Sequence, residues 1–179
     1  MIRRKAHSHN GGAISEQSDK QGFGWIIEKG GVCAIIPHRG EMLFLDRVKN
    51  YDTGERILSA EYTVTQNCLF YDPASGGVPS WAGFECMAQA VSALSGLANP
   101  RRDGKPGIGF ILSVSSLKLY FPFIKPGTTL EIRVRESGAM GDVHSFDGEI
   151  RAGEKKVLEG KLTVLDLNDG EAERFFKKP

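Results

Sequence analysis

Apolar and polar residues alternate over several segments of the chain after residue 56. In the first segment, 58–64, the residues that share the apolar face are Leu58, Ala60, Tyr62 and Val64. An alternation of period two predicts a half-buried β-strand, because successive side chains of a strand point to opposite faces. The same alternation recurs over 130–135 and 158–164. We therefore expect several strands that each bury one face.

A longer apolar segment and two groups of turn residues complete this pattern. Residues 108–123 predict one long strand, in which the phase slips at Ser115 and Ser116 as a β-bulge would cause. Turns are predicted at Gly138–Gly141 and at Gly153–Glu154. Short turns between consecutive strands indicate an antiparallel sheet.

The segment from Trp81 to Ala98 breaks the alternation and predicts one long helix, preceded by Pro79-Ser80 and followed by Asn99-Pro100. Its apolar residues occur all round the axis, so the helix is buried on every side. A membrane span is excluded because the helix is short and a central Glu85 would cost about 3 kcal/mol in a bilayer. The remaining arrangement is an α+β fold in which a curved antiparallel sheet wraps around one central helix.

Length and composition indicate a single folded unit. The 179 residues and 19.6 kDa suit one domain, and a hydrophobic content of 40% is enough for one sizeable core. Residues 1–25 are polar, rich in Gly and Ser, and predict a flexible N-terminal tail before a domain at 26–179. The N-terminus lacks the apolar stretch of a secretory signal, so we expect a cytoplasmic protein.

Charge and cysteine content exclude several classes of partner. The 23 basic residues almost balance the 22 acidic ones, so neither nucleic acid nor a membrane surface is expected as a partner. Cys33, Cys68 and Cys86 show no CxxC spacing, which argues against a disulfide framework and against a zinc site. We expect no bound metal, and a reducing compartment suits these thiols.

Glu85 is the most informative residue of the predicted helix. An ionised carboxylate among apolar neighbours must be paired, hydrogen-bonded or shifted towards its neutral form, and a neutral carboxyl group is a good general acid. The alternative is a glutamate that faces solvent at the start of the helix. Gln89 lies four residues later on the same face, where it could orient Glu85 or satisfy the backbone of a packed strand.

A second candidate segment runs from Pro37 to Val48 and contains His38 and Arg39. A histidine between apolar segments is usually structural, and this alternative stays open for His38. We interpret His144 as structural, because no acidic residue lies near it at a helical or loop spacing that suggests a dyad.

These two segments resemble the hotdog-fold 3-hydroxyacyl-[acyl-carrier-protein] dehydratases. The stretch Pro37-His38-Arg39, followed by the apolar-Asp-Arg-Val run Phe44–Val48, looks like their N-terminal signature. Phe84–Ala90, with Glu85 ahead of Met-Ala-Gln, is similar to their central helix, and Lys125–Gly127 before a strand also matches. The likeness covers roughly residues 30–167.

The resemblance implies a hotdog fold in which two copies pair through a continuous sheet. Each active site then uses residues of both subunits, and the acidic residue and a histidine form a pair across the interface. Glu85 takes the acidic role. The usual Gly-His-Phe-Pro run is replaced by Phe70–Pro73, which contains no histidine.

A subgroup associated with aryl polyene or similar polyketide-like lipid synthesis also resembles this chain in lacking that run. In this subgroup the histidine of the Pro-His-Arg turn is the natural substitute, which makes His38 the expected catalytic partner of Glu85 and leaves Tyr71 as the other candidate. A tyrosine is the poorer base because its pKa lies near 10, whereas that of an imidazole lies near 6.5.

The reaction implied by the resemblance is dehydration of a 3-hydroxyacyl thioester to a trans-2-enoyl thioester, with Gln89 orienting Glu85. Backbone N–H groups at the start of the helix would bind the thioester carbonyl, at Ser80, Trp81 and Gly83. The acyl chain would run past four apolar or aromatic residues, Tyr71, Phe84, Met87 and Phe110. Two alternatives remain: a thioesterase in which Glu85 activates water, or a hotdog protein that binds acyl groups without catalysis.

The resemblance also implies the partners. No cofactor is expected, because phosphopantetheine arrives with the substrate on acyl carrier protein or coenzyme A. A homodimer or a higher oligomer of dimers is expected, because a single curved sheet leaves strand edges exposed. An acidic carrier would meet a local basic patch, for which the candidates are Arg101, Arg102, Lys118 and Lys125.

Overall fold

The computed structural model describes residues 23–24, 26–100 and 106–167. The predicted tail at 1–25 lies outside the described residues except for 23–24, and so do Arg101 and Arg102 of the predicted basic patch. The described residues form ten strands and two α-helices. The strands are β1 (Phe23–Gly24), β2 (Ile27–Glu28), β3 (Arg47–Asp52), β4 (Ile57–Thr63), β5 (Val78–Pro79), β6 (Ile108–Leu119), β7 (Phe123–Ile124), β8 (Thr129–Met140), β9 (Val143–Ala152) and β10 (Lys155–Leu167). The helices are α1 (Lys29–Ile35) and α2 (Gly83–Ala98).

The strands form one large antiparallel sheet with the order β1-β3-β4-β8-β9-β10-β6, in which β2 also pairs with β3. β5 and β7 form a separate antiparallel pair. The predicted turn at Gly153–Glu154 joins β9 to β10, and Gly141 in the turn between β8 and β9 adopts a φ of +59° that glycine tolerates without strain. The predicted antiparallel sheet is therefore confirmed.

The helix α2 is the only long helix among the described residues, and its position agrees closely with the prediction. The segment Ser80–Ala82 forms a 3-10 turn, so the α-helix begins at Gly83 rather than at Trp81. It ends at Ala98, and Asn99 forms its C-cap. No helix in the described ranges is long and apolar enough to cross a bilayer.

The core lies between α2 and the concave face of the sheet. Met87 and Leu94 of the helix are fully buried, and they belong to the same cluster as Ile132 and Ile150 of the sheet. The helix approaches the sheet closely at Gly148, where an added Cβ would lie 2.7 Å from the Met87 Cε. A glycine at this position therefore lets helix and sheet pack in contact.

The strand β6 forms one edge of the sheet and pairs with β10 along its length. All of its side chains are exposed, including the apolar side chains of Ile108, Leu112 and Leu117. The register shifts by one residue at Ser115, which confirms the predicted bulge, and by another at Leu112. An exposed apolar edge strand of this length is available for pairing with a second chain.

Candidate active site

The first turn of α2 brings Glu85 to the segment that contains His38. The Nε2 atom of His38 lies 3.4 Å from the Oε1 atom of Glu85. About a quarter of each side chain is exposed (28% and 26%), so the pair is accessible from solvent but mostly enclosed by protein. The Nδ1 atom of His38 is buried and has no hydrogen-bond partner among the described residues. The ring nitrogen that meets Glu85 is therefore Nε2.

Gln89 connects this pair to the rest of the fold. Its side-chain amide is fully buried and donates hydrogen bonds to Glu85 Oε1 at 2.9 Å and to the Met42 carbonyl at 2.7 Å. Its carbonyl oxygen accepts a hydrogen bond from the Phe44 backbone N–H at 2.8 Å. Gln89 thus contacts the Glu85 carboxyl group, as predicted for an orienting residue, and the backbone it satisfies belongs to the loop that follows His38 rather than to a strand.

Arg39 holds the loop at His38 from the other side. Its Nη1 donates hydrogen bonds to the carbonyl oxygens of Ile36 and His38, at 2.6 and 2.7 Å. The loop then turns at Gly40, whose φ of +58° lies in the region that favours glycine, and enters the core at Phe44. The guanidinium group therefore stabilises the backbone conformation that presents the imidazole to Glu85.

His38 and Glu85 lie at one end of a cavity of about 960 Å³. The cavity follows α2 towards its C-terminal end and is bounded on the other side by the start of β6 and the end of β10. The apolar residues that line its middle are Val91, Ile108, Phe110, Ile111 and Val164. A cavity of this size and lining can hold an extended acyl chain.

Of the predicted tunnel residues, Phe110 lines this cavity, whereas Tyr71, Phe84 and Met87 do not. Met87 is fully buried and packs under Gly148 in the core. Tyr71 and Phe84 are half-buried and pack against the same core. The part of these three residues in binding substrate stays a prediction.

The prediction of free backbone donors at the start of the helix needs a correction at two of the three positions, Ser80 and Gly83. The Ser80 N–H donates to the Pro122 carbonyl at 2.9 Å, and the Gly83 N–H donates within the preceding 3-10 turn. Because both groups are already bonded, they are not the free donors that the sequence analysis expected. The residues that line the cavity also include none of Ser80, Trp81 and Gly83.

The structure also differs from the arrangement implied by the family resemblance, in which the acid and the histidine come from different subunits. Here His38 and Glu85 meet within one chain. The physical reason is the loop after α1, which Gln89 and Arg39 hold against the first turn of α2.

A second group of polar side chains, which the sequence pattern did not indicate, lies at the other end of the cavity. His144 Nδ1 lies 3.4 Å from Glu136 Oε1, and Glu136 Oε2 accepts a hydrogen bond of 2.6 Å from the Nε of Arg56. Asp166 also lines the cavity, together with Asp142 and Ser95. The sequence spacing around His144 favoured a structural role and did not indicate these neighbours, because the acidic residues approach it from adjacent strands.

Burial raises the pKa of Asp166, and the nearby Asp142 raises it further. His144, Arg56 and the hydrogen bond from Ser95 act in the opposite direction without cancelling the effect of burial. An additional hydrogen-bond donor at this position would stabilise the charged form of the Asp166 carboxyl group.

Cys86 lies next to Glu85, but its thiol is not available as a nucleophile. Burial raises the pKa of the Cys86 thiol well above its ordinary value, and the charge of Glu85 raises it further. The neutral thiol packs in the core as a small apolar group. In the described ranges, no group of three or more His, Cys, Asp or Glu residues is arranged to hold a metal ion.

Comparison with known families identifies the chain. The family profile described as ApeP-like, ApeP dehydratase, matches residues 31–177. The chain belongs to the ApeP-like dehydratase family. The match begins just after Gly30 and contains both His38 and Glu85, so the candidate site lies wholly inside the family region.

The chain is also similar to individual dehydratases. The chain is 30% identical over 137 residues to the 3-hydroxyacyl-[acyl-carrier-protein] dehydratase FabZ of Erythrobacter litoralis, covering 75% of this chain and 89% of the relative. FabZ of Rhizorhabdus wittichii is also 30% identical, over 141 residues, with coverage of 75% and 85%. A chain of the dehydratase heterocomplex ApeI:P from Xenorhabdus doucetiae superimposes with a TM-score of 0.71 at 24% identity, covering 82% of this chain and 97% of that one. The ApeP-like chain therefore has the predicted hotdog fold.

Proposed function

We propose that this ApeP-like chain removes water from a 3-hydroxyacyl group carried as a thioester on acyl carrier protein, giving the trans-2-enoyl thioester in fatty-acid or aryl-polyene-type synthesis. The observation that carries the proposal is the 3.4 Å contact between His38 Nε2 and Glu85 Oε1 at the end of an acyl-sized cavity. Membership of a dehydratase family supports the reaction type.

In the proposed mechanism His38 is the base and Glu85 is the acid. The thioester makes the α-proton acidic, so the imidazole can remove this proton on Nε2. The electron pair of the C–H bond forms the double bond, the C–O bond to the β-hydroxyl breaks, and Glu85 donates the proton that completes the departing water. The two groups lie 3.4 Å apart, which is close enough for both to reach one Cα–Cβ bond of a substrate, as syn elimination requires.

Gln89 defines which oxygen of Glu85 donates the proton. Its N–H donates to Oε1, which must therefore act as an acceptor. In the neutral carboxyl group the proton then lies on Oε2. This arrangement directs the acidic proton away from Gln89 and leaves it for the substrate hydroxyl.

The proposal includes assembly through β6. A second copy of the chain that pairs its own β6 with this edge would continue the sheet and cover the exposed apolar side chains beside the cavity. The name of the Xenorhabdus doucetiae complex raises a second possibility, in which a related but different chain occupies the same edge. Light scattering of the pure protein separates these outcomes: a dimer supports pairing of identical copies, and a monomer of about 20 kDa argues for a different partner chain.

We further propose that the substrate is delivered by an acidic carrier protein in the cytoplasm. All three cysteines are free thiols, which fits a reducing compartment. Lys118 and Lys125 are exposed and are the described members of the predicted basic patch, although Lys118 also lies near Glu159 at 3.9 Å. Charge reversal at Lys118 and Lys125 should raise the Michaelis constant for carrier-bound substrate at low salt. An unchanged constant would exclude this patch.

Product analysis tests the proposed function directly. Pure protein is incubated with 3-hydroxyacyl and trans-2-enoyl thioesters on acyl carrier protein, and the products are identified by mass spectrometry. The proposal predicts loss of water from the first substrate and gain of water by the second. Release of free acid would show a thioesterase instead, and binding without any product would show an acyl-binding protein.

A further inference from the structure

The backbone on both sides of His38 has a defined conformation. Ile36 is extended, with φ −125° and ψ 152°, as steric contact with a following proline favours. The ring of Pro37 holds its φ at about −65°. Arg39 is extended again, with φ −142° and ψ 159°, and Gly40 turns the chain with a φ of +58°. The torsions left to define are therefore ψ of Pro37 and φ and ψ of His38.

The side chain of Arg39 restricts these remaining torsions. Its Nη1 atom alone donates hydrogen bonds to two carbonyl oxygens, that of Ile36 at 2.6 Å and that of His38 at 2.7 Å. The two carbonyl groups lie on either side of the torsions in question, so both can reach one nitrogen only over a narrow range of backbone conformations. A charged donor makes such bonds about twice as strong as a neutral one does.

Arg39 has no other contact of this kind in the part of the chain that the structure describes. Its side chain is exposed, and within the described ranges it forms no ion pair with an acidic residue. Pro37 and His38 line the cavity, whereas Arg39 does not. The guanidinium group therefore reaches the site only through the backbone of the loop that carries the imidazole.

We propose that Arg39 is a positioning residue for the dehydration, which acts through His38 and does not contact the substrate. The inference rests on the proposed function, because it takes His38 as the base. A general base must lie within about 3 Å of the atom whose proton it removes, and a misplacement of about 1 Å can cost about a hundredfold in rate. Substrate binding along the apolar cavity does not depend on the direction of the imidazole.

The two kinetic constants distinguish positioning from binding. Arg39→Met removes the donors but keeps much of the side-chain length, and it should lower kcat at least about tenfold while the Michaelis constant stays within about twofold. Arg39→Lys keeps a charged donor and should recover part of the lost rate. The matched control is Arg133→Met, which removes an exposed arginine of β8 that does not line the cavity and should keep both constants.

A double variant tests whether the effect passes through His38. In a His38→Ala background, Arg39→Met should change the residual dehydration rate by less than about twofold, because the side chain that it positions is already absent. A second loss of about tenfold in this background would show that Arg39 acts directly on the substrate or its carrier arm, and would overturn the inference.

A measurement without turnover separates this inference from the proposed function. The chain has four histidines, and His38→Ala identifies the ring signals of His38 in nuclear magnetic resonance spectra of the full-length protein labelled with nitrogen-15. Glu85→Gln should shift the Nε2 signal, because Nε2 lies 3.4 Å from the Glu85 carboxyl oxygen. In an Arg39→Met background the same substitution should no longer shift it. A His38→Ala protein as active as wild type would contradict the proposed function, yet the spectra would still show whether Arg39 positions the ring.

Three further results would overturn the inference. The first is a kcat of Arg39→Met within about threefold of wild type. The second is a raised Michaelis constant with an unchanged kcat, which would make Arg39 a binding residue. The third is a His38 signal that responds to Glu85→Gln as fully in Arg39→Met as in wild type. If circular dichroism shows that Arg39→Met does not fold, Arg39→Lys replaces it in each measurement, with an expected loss in kcat of at least about threefold.

Discussion

Two residues compete for the role of base beside Glu85, and the structure places them differently. His38 lies 3.4 Å from Glu85 and lines the cavity. Tyr71, which stands in the segment that replaces the usual histidine, packs against the core, and its backbone N–H donates to the Cys68 carbonyl. Proximity to the acid and to the cavity therefore favours the histidine.

Replacement of these two residues should have unequal effects on the dehydration rate. His38→Ala should lower kcat at least about a hundredfold, because removal of a general base typically costs two to four orders of magnitude. Tyr71→Phe should leave kcat within a few-fold of wild type, since only a hydroxyl group is lost. The rate is followed by mass spectrometry of the enoyl product. A folded His38→Ala protein that keeps more than about a tenth of the wild-type rate would remove the histidine from the mechanism.

At the scale of single residues, Glu61 also tests how much ion pairs on the sheet surface contribute to the stability of the protein. Burial would raise the pKa of Glu61, but hydrogen bonds and ion pairs with Lys49 and Arg47, at 2.9 and 2.7 Å, lower it by more. A carboxylate whose pKa is lowered on folding stabilises the protein above the unfolded value of about 4.3. This contribution disappears as the pH falls through the lower pKa of the folded state.

Glu61→Gln should therefore lower the free energy of unfolding by about 1 kcal/mol at pH 7. Below about pH 4 the variant and the wild type should converge, because Glu61 is then increasingly protonated in both states. Urea unfolding at the two pH values measures the difference. The matched control is Glu131→Gln, whose side chain is half exposed and should matter less at either pH. A difference that is independent of pH would show that the effect is not electrostatic.

At the scale of elements, α1 positions the loop that carries His38 through its contact with α2. An added Cβ at Gly96 of α2 would lie 2.5 Å from the Ile35 carbonyl oxygen, which is closer than real Cβ atoms approach. The chain continues from Ile35 through Pro37 to His38. Displacement of α1 would therefore move the imidazole relative to Glu85.

Gly96→Ala should lower the free energy of unfolding by about 1–3 kcal/mol, as overpacking does, although alanine is the better helix former. It should also lower the dehydration rate. The control is Gly30→Ala in α1, where an added Cβ has no neighbour within 4 Å and should be neutral or stabilise by up to about 1 kcal/mol. If Gly96→Ala and wild type are equally stable, α1 shifts to accommodate the added methyl group without any loss in the free energy of unfolding.

The elements that could be predicted from sequence are those with a local signal. The end of α2 at Ala98 follows from Asn99-Pro100, and the bulge at Ser115 follows from a slip in an alternating pattern. The second bulge, at Leu112, was not predicted because Phe110, Ile111 and Leu112 are all apolar. The sequence there has no alternation of apolar and polar residues that a bulge could interrupt. The start of α2 was misplaced by two residues because a 3-10 turn has nearly the same local sequence requirements.

The polar end of the cavity could not be predicted from the sequence for a different reason. Glu136 lies 3.4 Å from His144 and Asp166 interacts with His144 electrostatically. They come from the two strands that flank β9, so their proximity to His144 depends on the register of the sheet. A bulge between Glu136 and Gly138 shifts that register by one residue. Strand alternation does not encode such a shift, whereas the motif around Glu85 and Gln89 depends only on the spacing of one helix turn.

At the scale of the whole molecule, we propose that His38 and Glu85 form a complete acid–base pair within one chain. The geometry of the single chain supports it, since the two side chains meet without a partner subunit. A dimer built through β6 would then contain two independent sites. In the alternative arrangement, each site would combine the histidine of one copy with the glutamate of the other.

Complementation between two inactive variants distinguishes these arrangements. His38→Ala and Glu85→Gln chains with different affinity tags are co-expressed, and mixed dimers are isolated by successive capture on both tags. A mixed dimer has no intact site if the pair lies within one chain, but it regains one if the pair spans the interface. We expect the mixed dimers to dehydrate 3-hydroxyacyl thioesters no faster than either variant alone. Recovery of a substantial share of the wild-type rate in the mixed dimers would contradict it.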